Sequence, residues 1–180
     1  TALASLIGCI SQERRAAVLT TNFDPLTEVA LHRVGIPATT FNAAGPGFPE
    51  LDTVLNTLPV IHLHGYWESG ATLSTDSELL LARGEVESRL MDLFDNSILV
   101  VAGYGGWEDS FTRSLSALVR TSKFSLLQSE ILWLHHGPAS SSPAVMSMRG
   151  TPAFLEYENV DAQSLFQTLA DMIGAHDQTP

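Results

Sequence analysis

Residues 98–111 read ILVVAGYGGWEDSF. An unbroken apolar run enters a glycine-rich turn, and the turn leads into Trp107-Glu108-Asp109, which reads as the opening of a helix. A continuous apolar run, unlike an alternating one, is what a parallel strand covered on both faces requires. ILVVA is the strongest buried-strand signal in the chain. The helix after Gly103-Tyr104-Gly105-Gly106 should run to about Val119, with Phe111, Leu115 and Leu118 on one face.

The same alternation extends outward in both directions. Upstream, 2–15 has helical spacing at Leu3, Leu6, Ile7 and Ile10, and Ala16–Thr20 (AAVLT) reads as a buried strand. Pro25 suits the first turn of a helix reaching Val34, which Gly35 and Pro37 end. Residues 37–41 read as a short strand, 42–49 as loop, 51–58 as a weak helical turn and 59–63 (PVIHL) as a strand. Residues 77–83 and 87–94 have helical spacing. Downstream, EILWL at 130–134 is another buried strand, 138–143 a loop of small residues, 153–157 a short strand and 162–173 a terminal helix. Strand–helix alternation of this kind predicts an α/β fold with a parallel sheet covered on both faces. Ligands in such folds sit outside the carboxyl ends of strands.

Composition narrows the function. The chain has 180 residues, 9 Lys+Arg against 20 Asp+Glu, and a net charge of −11. Direct nucleic-acid binding needs clustered cations, and anionic membrane surfaces do too; neither fits. The single cysteine, Cys9, excludes an intrachain disulfide and a structural zinc ribbon, and fits a reducing, cytoplasmic setting. No run of about 18 apolar residues spans a membrane. The start, TALASLIGCISQERR, has neither Met nor a basic n-region. It reads as the tail of a helix, so the chain is expected to be one N-terminally incomplete domain, 1–180, with further domains of a longer chain or a homo-oligomer as partners.

Three strand ends carry polar chemistry. AVLT is followed by Thr21-Asn22-Phe23-Asp24, PVIHL by His64-Gly65-Tyr66, and ILVVA by the glycine turn. Asn22 and Asp24 serve either as a helix cap before Pro25 or as partners of ribose hydroxyls or an amide. The glycine turn serves either packing or phosphate contact through backbone N–H groups and the helix dipole; its spacing is not GxGxxG. His62 and His64 stand two apart on a strand and therefore on one face, which permits a metal pair. No third and fourth ligand stands at a matching spacing, and no metal is expected. His64, followed by Gly65, suits proton transfer.

In this order the three clusters resemble the SIR2-like domain superfamily, the sirtuin-related NAD-binding fold, from about Ala16 to Val119, with weaker similarity to about Tyr157. TTNFDPLTEVAL is similar to its T-x-N-[FYI]-D element, VIHLHG to the strand ending in its His-Gly, and VVAGYGGWEDSF to the G-[YTF]-S-x-x-D segment of the prokaryotic branch. The resemblance implies a Rossmann-like three-layer parallel sheet with NAD as ligand. It implies that His64 is the base and that Asn22 and Asp24 face the nicotinamide ribose. Thr21, Phe23, Gly65, Gly103, Tyr104 and Gly105 would line NAD, and Asp109 would match the family's acidic position. It implies NAD hydrolysis, in the prokaryotic branch commonly within antiviral defence proteins. A degenerate sensing or partner-binding module is the alternative. Three departures bear on this reading. No Gly-Ala-Gly-x-Ser loop precedes Ala16, Gly105 replaces the family's Ser, and the zinc cysteines of sirtuin deacylases are missing, which disfavours peptide deacylation. The correspondence of His135 and His136 to a ribose-binding Asn stays open.

Overall fold

A computed structural model describes residues 2–9, 17–45, 56–81, 83–120, 129–139 and 142–174. They form two compact units, Thr1–Ser74 with Gln163–Pro180, and Thr75–Ala162.

The first unit holds α1 (Ala2–Cys9), β1 (Val18–Thr20), α2 (Leu26–Arg33), β2 (Ala38–Asn42) and β3 (Leu58–His62). All three strands are parallel, in the order β1-β3-β2. Their register puts Thr20, His62 and Asn42 in one row at the carboxyl ends. The apolar run of β3 follows from its central place, with Val60 and Ile61 on opposite faces and both fully buried. Ala4 of α1, Leu31 of α2 and Val60 make a core, with Ile7, Val18, Ala30 and Ile36 packed round it.

Asp24 starts α2 by accepting from Leu26 N–H at 3.1 Å through Oδ1, the Asx turn that lets Pro25 lead into the first turn. The helix ends in a Schellman motif. Gly35 is left-handed at φ 76°, its N–H donates to His32 O, and Ile36 N–H donates to Leu31 O. Leu58 opens β3 instead of ending a helical turn, because its N–H donates to Pro37 O in the parallel ladder. Residues 51–55 of that expected turn lie outside the described residues, as do 10–15 of the expected first helix and Ala16 of the expected first strand.

The second unit holds α3 (Asp76–Leu80), α4 (Gly84–Phe94), β4 (Ile98–Ala102), α5 (Ser110–Arg120), β5 (Glu130–Leu134), α6 (Pro143–Met146) and β6 (Phe154–Tyr157). Its sheet is parallel, ordered β4-β5-β6. Thr75 and Glu78 make a capping box at α3. One face of this sheet is buried through Val101, Ile131, Trp133 and Phe154. Val86, Leu90 and Phe94 of α4 and Phe111, Leu115 and Leu118 of α5 are buried with them. The other face shows Ile98, Val100, Leu155 and Tyr157 to solvent.

This corrects the reading of ILVVA. Only Val101 of β4 is buried, because β4 is an edge strand; β3 and β5 are the buried centres. A second correction concerns Pro143, which opens α6 instead of closing a loop, with Pro in the first helical turn where its missing N–H costs nothing. Chain order ends with α7 (Ala162–Met172), nearly all of it in the first unit. No described helix is long and apolar enough to cross a membrane.

Candidate functional site

In the first unit the loop after β1 and the turn after β3 are laced together. Leu63 N–H donates to Thr20 O at 2.8 Å, and Trp67 N–H donates to Phe23 O at 3.1 Å. Between them lies His62, fully buried. Its Nδ1 donates to the Asn22 carbonyl at 2.7 Å, and its Nε2 meets Glu28 Oε1 at 2.8 Å. The same Glu28 oxygen accepts from Thr40 Oγ1 at 2.9 Å. Tyr66 covers the imidazole, ring centres 4.7 Å apart. Burial, then the Glu68 carboxylate, push the Tyr66 phenol above its ordinary range.

His62 and His64 are therefore not a pair on one strand face. β3 stops at His62, so the two-residue period ends before His64. Both nitrogens of His62 face oxygens, and no cluster of three or more His, Cys, Asp or Glu residues able to hold a metal occurs among the described residues. His64 is half-buried just beyond the strand, its carbonyl accepting from Leu73 N–H at 2.6 Å. Gly65 follows at φ 116°, bridged to Thr72; a Cβ there would stand 2.4 Å from Ala71 O. Only glycine fits this turn.

Asn22, Phe23 and Asp24 are exposed, and Thr21 is half-buried. Asp24 caps α2 through one carboxylate oxygen, so the capping reading holds for it. Asn42, at the end of β2, binds Ala71 O at 2.9 Å and also Ser69 Oγ through its amide N–H groups, and accepts from Ala44 N–H. Thus the first unit brings Thr21, Asn22, Phe23 and Asp24 to the same edge as His64 and Gly65. Sequence reading missed Glu28, Thr40 and Asn42. Asn42 stood in plain view at the end of a strand; Glu28 meets its partner across 34 residues, beyond any periodicity.

In the second unit the glycine turn is organised inward. Tyr104 Oη donates to Asp109 Oδ2 at 2.6 Å, and the ring packs edge-on against Phe111 at 5.5 Å. Burial, then the Asp109 carboxylate, push this phenol far above its usual range. Asp109 is almost wholly buried and caps α5: Oδ1 accepts from Thr112 N–H at 2.9 Å, while Asp109 N–H donates to Thr112 Oγ1. A carboxylate already occupies the helix start where an anion would bind. Strict counting of G-[YTF]-S-x-x-D puts the acidic position at Glu108, which is exposed, one residue before Asp109. Gly103 and Gly105 are exposed. Gly106 is buried at φ 79°, and a Cβ there would stand 2.4 Å from Val145 Cγ2. His135, one residue past β5, binds Glu156 at 2.9 Å, and Glu156 also holds Arg149 at 2.6 Å. His136 is exposed.

The family model of the SIR2-like domain matches residues 16–162. The chain belongs to the SIR2-like domain family. This is a sirtuin-related domain of the NAD-binding type, and its parallel α/β units have the Rossmann-like character of that class. All three strand-end clusters of the SIR2-like domain lie inside the matched span, which runs through both units. Among curated proteins none matches the chain.

Proposed function

We propose that this SIR2-like domain binds NAD at its strand ends and cleaves the nicotinamide glycosidic bond with water. The observation that carries the reading is the lacing of the first unit, where backbone bonds and His62 hold Thr21–Asp24 beside the turn that bears His64. Two of the family's three elements thereby share one edge.

The chemistry asks little of the protein beyond placement. The pyridinium is a cationic leaving group, so the C1′–N bond breaks with its electron pair passing to nitrogen, and neutral nicotinamide departs. Water oxygen bonds to C1′, and its proton passes to His64. The products are nicotinamide, ADP-ribose and one proton. The exposed Asn22 amide supplies a donor and an acceptor for ribose hydroxyls. The free lone pairs of Asp24 favour the positive charge that develops on the ribose. Thr21, Phe23 and Gly65 flank that ribose. A cytoplasmic antiviral role, in which NAD depletion arrests an infected cell, follows from the same family reading.

A second reading is a sensing module that binds NAD or ADP-ribose without turnover. The bond between Tyr104 and Asp109 favours it, since both groups engage each other and the α5 cap. Nicotinamide release from NAD separates the two. His64→Ala should lower it at least about 100-fold, the usual worth of a general base. Equal release by both proteins would remove His64 from the mechanism. NAD bound but unconsumed by the wild type would establish the sensor.

A further inference from the structure

We infer that Glu28 and His62 form a positioning clamp that sets the Asn22–Asp24 loop against the end of β3. Its role in ligand binding rests on the reading of this edge as the NAD site; the clamp itself does not. His62 touches the loop after β1, α2 and, through Glu28, β2. A carbonyl can only accept, so the Asn22 oxygen fixes a hydrogen on Nδ1. Nε2 is thereby turned to Glu28 Oε1, and Thr40 holds that oxygen from the far side. Tyr66 closes the assembly over the ring.

The arrangement is poor as a stabiliser and good as a jig. His62 is 0% exposed and Glu28 16%, so both are desolvated, and Glu28 Oε2 is buried with no hydrogen-bond partner. An apolar pair of the same volume would stabilise the core at least as well. What an apolar pair cannot do is grip a backbone carbonyl. The Asn22 carbonyl is gripped at the residue whose side chain the proposed chemistry needs exposed. Fixing the carbonyl fixes the direction in which the Asn22 amide and the next two residues leave the strand.

Amide hydrogen exchange tests the clamp without any ligand, and NAD titration of the same proteins tests its use. The reporter is Trp67 N–H, which donates to Phe23 O and touches neither clamp residue. Glu28→Ala should speed its exchange at least tenfold, while amides of β5 exchange as before. Glu28→Gln should bring it back to within about threefold of the wild type, because an amide nitrogen in the place of Oε1 can donate one hydrogen to Nε2 and the other to Thr40 Oγ1. Should Glu28→Ala not fold, Thr40→Val gives the milder break, with an expected rise of about threefold. NAD affinity should fall at least tenfold in Glu28→Ala and recover in Glu28→Gln. Unchanged exchange at Trp67, or loss in Glu28→Gln equal to that in Glu28→Ala, overturns the clamp. Intact exchange effects with no NAD binding by the wild type overturn the proposed function and leave the clamp standing.

Discussion

Gly65 shows how sharply one residue can be constrained. Its φ is 116°, and any Cβ would fall 2.4 Å from Ala71 O, so no side chain has room there. The obstacle is backbone, which cannot swing aside as a long side chain would. Gly65→Ala should therefore cost at least about 2 kcal/mol, read as a lower urea midpoint, because strain and clash add. An unchanged midpoint would mean that the turn relaxes freely. The neighbouring histidines show what sequence can and cannot deliver at this scale. His64 drew notice because a polar pair at a strand end is where α/β folds place ligands. His62 was read as its twin on the strand face, since nothing in PVIHLHG marks where the ladder stops. Its partner Glu28 was invisible, as tertiary pairing leaves no local period.

At the scale of elements, each sheet keeps a buried histidine at the carboxyl end of its central strand and ties it to a glutamate: His62 with Glu28, and His135 with Glu156. The second tie has an acid-side consequence. Hydrogen bonds from Arg149, with help from His135, hold the Glu156 carboxyl below the usual carboxylate range, against the effect of burial. A carboxyl depressed in the folded state stabilises above its unfolded value of about 4.3 and loses that contribution as pH falls through the lower folded value. Arg149→Ala should thus move the acid unfolding midpoint to higher pH, followed by tryptophan fluorescence; a midpoint that stays put would show the pair to be inert. Most elements were legible from apolar spacing and from Gly and Pro punctuation. β5 runs from Glu130 to Leu134 as read, and α5 begins where Asp109 caps it. The apolar run of β4 misled, since an edge strand and a central one can share a composition while differing in what lies beside them.

For the whole molecule, charge is the governing fact. A net −11 repels NAD, whose two phosphates outweigh its pyridinium. Long-range repulsion is screened by salt, with a Debye length of about 10 Å at 0.1 M, so NAD affinity should hold or rise between about 20 and 200 mM salt. A tenfold fall over that range would reveal a cationic anchor. The parallel α/β class was legible because alternation of strand and helix is a global pattern; the pairing of the described strands in two groups of three was not, since no residue type announces where pairing ends. Chain order and unit order also differ. The second unit, Thr75–Ala162, is bracketed by two parts of the first, which closes only with Gln163–Pro180. A ribosome delivers the chain from its N-terminus, so the glycine-turn unit is complete in sequence while the histidine unit still waits for its final helix. The edge proposed for catalysis is then the later of the two to be finished during synthesis, and a chain terminated near residue 161 would keep the second unit whole and leave the first without its closing segment.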